Sequence, residues 1–239
     1  MIPKIIHYCW FGRGEMPDEA KKCIASWHKY MPDYEYKMWN EDNFDVDAIP
    51  YTSEAYSAKK YAFVSDYVRL WALAKEGGIY FDTDVEVFKS FDDLLEYKAF
   101  AGLQGSKGYP VGTFVMASQA HGEWVEEQLS FYHDRHFEKS DGSFDMTTNV
   151  EYMTRTMAEN GFLQNGTEQD YKDLHIFPVD YFCPKQTTGE YFFTENTYSD
   201  HLGMGSWADG SDKWKSIVGM VIGPKNMIRL IKLKRKILK

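Results

Sequence analysis

The chain is poor in cysteine, and the cysteines it has are badly placed for cross-linking. Cys9, Cys23 and Cys183 are odd in number, widely spaced and form no CxxC pair, so neither a disulfide framework nor a thiolate zinc site is expected. That pattern suits a reducing, cytoplasmic setting. Long apolar runs are missing as well, since no stretch approaches the roughly 20 residues that a membrane-spanning helix needs. Near the N-terminus Pro3 and Lys4 interrupt any apolar leader segment, and Ile5-Ile6 is too short to form one. Basic residues are outnumbered, 27 against 36 acidic, giving a net charge of −9. That balance argues against a nucleic-acid partner, which demands Lys and Arg clustered over a broad face. No internal repeat or low-complexity tract interrupts the sequence.

What is present describes a folded α/β protein. At 239 residues, 44% hydrophobic and 26% charged, the chain can bury a substantial core. The expected organisation is one domain over residues 1–224 and a basic tail over 225–239. The aromatic fraction is high at 17%. Such rings can stack on sugars or a nucleobase, but most aromatics fill cores.

Lys4 to Trp10 reads as a short buried strand closed by a turn at Gly12 and Gly14. Pro17 opens a helix through Tyr30 with Asp18 and Glu19 in its first turn, and Tyr34–Trp39 forms a second strand. This β-α-β opening predicts a mostly parallel central sheet with helices on its faces. The clearest helix is expected over residues 54–76, capped by Thr52 or Ser53 and stopped by Gly77-Gly78. Its apolar stripe is Phe63, Tyr67, Leu70 and Ala74, with Asp66 and Arg69 side by side along one flank. The apolar strand Ile79-Tyr80-Phe81 follows and runs into Asp82-Thr83-Asp84, after which Val85–Phe88 alternates again. Further strands are expected near Ala99–Leu103 and Thr113–Met116, and helices over 123–137 and 147–160. Residues 161–210 read as loops able to line a site.

Asp82 and Asp84 are the leading chemical candidates. On an extended chain residues i and i+2 share a face about 6.5 Å apart, so both carboxylates can address one hard divalent cation such as Mg²⁺ or Mn²⁺. That ion would neutralise charge developing on a leaving diphosphate. The bland alternative is a solvated acidic turn. A rival chemistry is also spelled out, because Ile79–Val85 resembles the nucleophile motif of haloacid-dehalogenase-like phosphatases, with Lys139, Asp141 and Asp145 imitating the remaining parts. There Asp82 would attack phosphorus. The polarity of Arg135-His136-Phe137-Glu138 and the eighty residues preceding Asp82 disfavour it. Asp66 and Arg69 could be merely an intrahelical ion pair worth about 0.3–0.5 kcal/mol, with no role in catalysis, and Trp10 merely a core residue.

Taken together, Ser65-Asp66-Tyr67-Val68-Arg69, Gly77-Gly78-Ile79-Tyr80 and Asp82-Thr83-Asp84 resemble glycosyltransferase family 32, whose core pattern is shared by the large clostridial glucosylating toxins. The opening Ile2–His7 with Trp10 and Gly12 looks like that family's first strand, and Tyr198, His201 and Ser206-Trp207 match its C-terminal positions. The resemblance implies a GT-A fold, a nucleotide-sugar donor and retention of anomeric configuration. It also implies site roles. Trp10 stacks on the donor base, Asp66 and Arg69 hold the donor sugar and phosphates, and Asp84 ligates the metal. Asp82 contacts donor or metal-bound water, Ser206 and Trp207 meet the diphosphate, and His201 is a further metal ligand. The expected reaction moves galactose or glucose from UDP to a surface polysaccharide or a lipid-linked oligosaccharide. No carboxylate stands out as nucleophile or base; in a front-face reaction the departing diphosphate accepts the proton, and Arg69, Ser206, Trp207 and the metal stabilise charge. A non-catalytic nucleotide-sugar-binding protein is the remaining alternative.

The tail forms a separate problem. Residues 225–239 carry seven basic residues and no acidic one. On a helical wheel Lys225, Arg229, Lys232, Lys236 and Lys239 share one face opposite Met227, Ile228, Leu230, Ile231, Ile237 and Leu238. A basic amphipathic helix of this kind either lies on an anionic membrane surface or docks on the acidic body.

Overall fold

The computed structural model describes residues 1–105, 109–185 and 192–203. In chain order the elements are β1 (Ile5–Cys9), α1 (Asp18–Tyr30), β2 (Glu35–Trp39), α2 (Pro50–Ser57), α3 (Tyr61–Glu76), β3 (Gly78–Phe81) and β4 (Val85–Val87). A 3₁₀ turn at Asp92–Leu94 leads to β5 (Ala99–Leu103), β6 (Val111–Ser118), α4 (Glu123–Ser130) and α5 (Asn149–Glu159). The last elements are β7 (Gln169–Tyr171), β8 (Leu174–Phe177), α6 (Val179–Phe182) and β9 (Ser199–His201). Seven strands form one sheet in the order β2-β1-β3-β6-β5-β8-β7, while β4 and β9 pair separately. Within the large sheet β2, β1, β3, β5 and β8 run one way, with β6 and β7 opposed. The mostly parallel sheet expected from the opening β-α-β unit is therefore present.

Both faces of this sheet are buried, and the strands divide their residues between them by alternation. Tyr80, Ala99, Ala101, Met116 and Ile176 pack with Phe63, Leu70 and Trp124 from α3 and α4. Ile79, Phe81, Phe100, Val115, Ala117 and Phe177 pack on the other side with Trp27 of α1 and Phe182 of α6. Asp82 follows Phe81 and so turns back to the face occupied by Tyr80 and α3. This alternation is what aims its carboxylate at Arg69.

Entry into β3 depends on two glycines. Gly77 caps α3 at φ 67°, and Gly78 adopts φ 115°, where a Cβ would lie 2.6 Å from Ile5 O. His7 locks the same junction. Its Nδ1 accepts from Trp39 Nε1 at 3.1 Å, so its Nε2 carries the proton and donates to Gly77 O at 2.8 Å. The buried ring is thus neutral, and burial lowers its pKa.

Several expected boundaries shift. The helix over 54–76 is two helices, because Lys59 takes φ 57° and closes α2. Lys60 N donates to Ala55 O at 2.8 Å and Lys59 N to Tyr56 O at 2.9 Å, the two bonds of a Schellman stop. Thr52 and Ser53 lie inside α2, which starts at Pro50 after Ile49, and neither caps a helix. The helix expected to Phe137 ends at Ser130, and beyond it the buried Phe137 is tied back by its N–H to Glu54. Residues 161–210 are not all loop, since β7, β8, α6 and β9 fall within them. Ser206, Trp207, the boundary at 224 and the 225–239 tail lie outside the described residues. Among the described residues no helix is long and apolar enough to cross a membrane.

Candidate functional site

The site forms at the C-terminal ends of β1 and β3, parallel neighbours whose chains leave the sheet on the same edge, where open α/β sheets commonly bind ligands. At its centre is Arg69 on α3, only 5% exposed. Its Nη2 lies 3.0 Å from Asp66 Oδ1 and 3.3 Å from Asp82 Oδ1. Nη1 donates to Thr113 O at 2.9 Å and Nε to Ser65 O at 3.2 Å. The guanidinium also sits over the Tyr80 ring at 4.7 Å. The intrahelical ion pair with Asp66 is present, and the desolvated cation also joins α3 to β3 and β6.

Asp66 is held on both sides. Arg69 occupies one oxygen, while Oδ2 accepts the Asn149 N–H at 3.2 Å and Asp66 O accepts from Asn149 Nδ2 at 2.7 Å. Burial pushes its carboxyl up to about 6; Arg69 opposes that rise and Asp82 reinforces it. The Tyr80 hydroxyl donates to Asp82 Oδ1 at 2.9 Å, and Asp82 N donates to Phe114 O at 2.9 Å. Cys9 lies near Arg69 and Asp82, and burial drives its thiol up to about 12, far from a reactive thiolate.

Asp82 and Asp84 do not share a strand face as an extended chain would require. The chain turns here, with Val85 N donating to Asp82 O at 3.1 Å, and the turn delivers Asp84 toward β9. There Val85 pairs with His201, and Leu202 N donates to Asp84 O at 3.0 Å. The His201 Nε2 lies 3.3 Å from Asp84 Oδ1. Its ring stacks on Phe114 with 4.5 Å between centroids and an interplanar angle of 13°. Burial alone would lower the His201 pKa, but the Asp84 carboxylate outweighs it and raises the pKa.

One ligand atom each from Asp82, Asp84 and His201 lie within 4.8 Å of one another. Two carboxylates and an imidazole suit Mn²⁺ or a similar divalent ion. Adjacent ligands of an octahedral ion with bonds of about 2.1 Å stand about 3 Å apart, and the Asp84–His201 spacing already approaches this. The residues fit a divalent cation, and the two aspartates and His201 of the expected set are brought together.

Trp10 is half-buried rather than core. Its Nε1 donates to Gly14 O at 2.7 Å, and the loop around it is fixed by Gly12 N donating to Glu41 Oε1 at 2.6 Å. Among the described residues no aromatic ring packs on the indole. Tyr80, Thr113, Phe114 and Asn149 are site-building residues that the sequence does not announce. Their contacts are made across the fold, and only the alternation of Tyr80 with Phe81 hints at one of them. The phosphatase arrangement is not assembled. Lys139 and Asp141 line a surface hollow with Glu54 and His136, Asp145 is bound to Arg135, and the Asp82 carboxylate is engaged by Tyr80 and Arg69.

Residues 17–101 match the model described as the glycosyltransferase sugar-binding region containing a DXD motif. The chain is 37% identical over 106 residues to inositol phosphoceramide mannosyltransferase 3 of Schizosaccharomyces pombe, covering 41% of this chain and 29% of that protein. It is 27% identical over 191 residues to the subversion of eukaryotic traffic protein A of Legionella pneumophila, covering 66% of this chain and 29% of that protein. The chain therefore spans less than a third of the length of either relative. PaToxG glycosyltransferase shares the fold at a TM-score of 0.50 and 20% identity, with 67% of this chain and 70% of that chain covered. The architecture is the GT-A fold, and residues 17–101 are similar to glycosyltransferase sugar-binding regions that contain a DXD motif.

Proposed function

We propose that the protein is a metal-dependent, anomer-retaining hexosyltransferase that uses a nucleotide-sugar donor. The observation that carries this reading is the continuity of two groups: the buried Asp66–Arg69–Asp82 array shares Asp82 with the Asp82, Asp84 and His201 cluster. A donor diphosphate at such a junction meets a buried guanidinium and a place for a divalent cation. A bound ion would supply charge neutralisation for the departing diphosphate.

The chain's own residues do the rest. Asp66 receives hydroxyls of the hexose, with its rotamer held by Arg69 and the Asn149 N–H. Arg69 is pinned by Thr113 O and Ser65 O, so it meets developing negative charge without reorganising. Trp10 offers a stacking surface for the base, and Ser206 and Trp207 complete the diphosphate contacts by resemblance. The acceptor hydroxyl gives its proton to the leaving diphosphate on the face from which it attacks.

The donor is UDP-galactose or UDP-glucose, and the acceptor a surface polysaccharide or lipid-linked glycan. The printed names of the mannosyltransferase relatives add a mannose donor and a lipid-borne acceptor as competing specificities. Residues 225–239 would bring the enzyme to the anionic cytoplasmic face of a membrane. The test is release of nucleoside diphosphate from UDP-galactose, UDP-glucose and GDP-mannose with Mn²⁺, with and without EDTA, together with thermal shift. Cleavage that EDTA abolishes is expected. Binding without cleavage would favour a non-catalytic binding protein, and no binding of any nucleotide sugar would end the proposal.

A further inference from the structure

A second buried arginine stands behind the donor array. The Arg135 side chain is 9% exposed. Its guanidinium carbon lies 4.8 Å from the Tyr51 ring centre, 5.2 Å from Tyr132 and 4.5 Å from Tyr152. Nε and Nη2 both donate to Asp145 Oδ2, at 3.1 and 2.9 Å, and Nη2 also donates to Thr147 O at 3.2 Å. Among the described residues the remaining nitrogen, Nη1, is buried without a partner, as are the hydroxyls of Tyr51 and Tyr132.

Stability does not account for this cluster. An unsatisfied buried polar group costs about 1–3 kcal/mol, and apolar residues of equal volume often replace buried ion pairs without loss. The position of the bonds does account for it. Arg135 grips Asp145 and Thr147, Thr148 caps α5, and Asn149 immediately follows with both of its hydrogen bonds to Asp66. The Arg135 charge also favours the ionised form of Asp66.

We propose that Arg135 is a positioning residue for the sugar end of the donor site. Through Asp145 and Thr147 it holds the Asn149 N–H against Asp66, and so fixes the carboxylate that receives the hexose. The inference rests on the donor role of Asp66 proposed above. It separates two halves of one ligand: loss of Arg135 weakens recognition of the hexose and leaves recognition of the nucleoside diphosphate intact.

The experiment uses Arg135→Gln and Arg135→Lys in the full chain. The lysine variant keeps a cation in the ring cage and loses only the fork that spans Asp145 and Thr147, so it guards against a glutamine variant that fails to fold. Amide exchange by NMR is expected to speed up at Asn149 by about 10-fold or more in the glutamine variant, and by a smaller factor in the lysine variant, with amides of β3 and β6 unchanged. The KM for UDP-glucose rises by about 10-fold while the Kd for UDP measured with Mn²⁺ stays at the wild-type value. Wild-type protection at Asn149 in the folded variants overturns the proposal, as does equal weakening of UDP and UDP-glucose. If the wild-type protein cleaves no nucleotide sugar, the transferase reading falls, while exchange at Asn149 still decides whether Arg135 holds Asp66.

Discussion

His201 Nε2 faces the Asp84 carboxylate at 3.3 Å, and the contact exists because β9 pairs with β4. A cation bound here must displace the proton that Asp84 stabilises on the imidazole. Metal affinity is therefore expected to rise with pH, and binding to release a proton. Calorimetry with Mn²⁺ at pH 6 and pH 8, in buffers of different ionisation enthalpy, checks both. Replacing Asp84 with Ala should abolish turnover while the fold persists, and pH-independent Mn²⁺ affinity would remove His201 from the ligand set.

Arg69 should be unusually intolerant of change. It is the buried partner of Asp66 and Asp82, so Arg69→Met leaves two carboxylates facing each other and is expected to cost about 3–5 kcal/mol. Lysine cannot reach both aspartates and Thr113 O from one ammonium, and Arg69→Lys should recover stability only in part and turnover hardly at all. Urea unfolding and donor cleavage report the two effects separately.

Asp66 gives a pH dependence of defined sign. Its carboxyl is raised to about 6 in the fold, against about 3.9 in the unfolded chain. The folded state binds this proton more tightly. Its contribution to stability is fully present below the unfolded value and is lost as pH rises through about 6. Asp66→Asn is therefore expected to stabilise the ligand-free protein at pH 7.5 by on the order of 1–3 kcal/mol, with little gain at about pH 3.5, while destroying donor turnover. Urea unfolding of both proteins at the two pH values measures the difference.

The glycine pair before β3 predicts a purely structural defect. A methyl at Gly78 would face Ile5 O at 2.6 Å, and φ is 115°. Gly78→Ala should destabilise by about 1–3 kcal/mol or more and disturb the His7 bond to Gly77 O. Thermal unfolding reads this directly, and an unchanged Tm would show that β1 and β3 have room to separate.

The parts of this fold that sequence made legible are those written in short-range pattern. Ile79-Tyr80-Phe81 alternates between two cores, and Gly77-Gly78 punctuates it. The break after α2 was invisible because Lys59 occupies the left-handed position where glycine is the usual marker. The aspartate pair was legible as a pair but not as a turn, since only pairing of β4 with β9 shows where Asp84 points. Asn149 and Asp66 stand 83 residues apart, and no periodicity connects them. His201 was reached by resemblance alone. In the fold its ring stacks on Phe114 and faces Asp84, contacts that no local pattern connects.

The β4–β9 seam has a consequence for how the protein can be studied. An ion held by Asp82, Asp84 and His201 would tie together stretches of chain more than a hundred residues apart, as a reversible staple. An ion that binds only the folded chain stabilises it in proportion to the logarithm of its concentration over Kd, about 2.7 kcal/mol at 100 times Kd. Melting temperature would then serve as a gauge of metal occupancy, readable before any substrate is known.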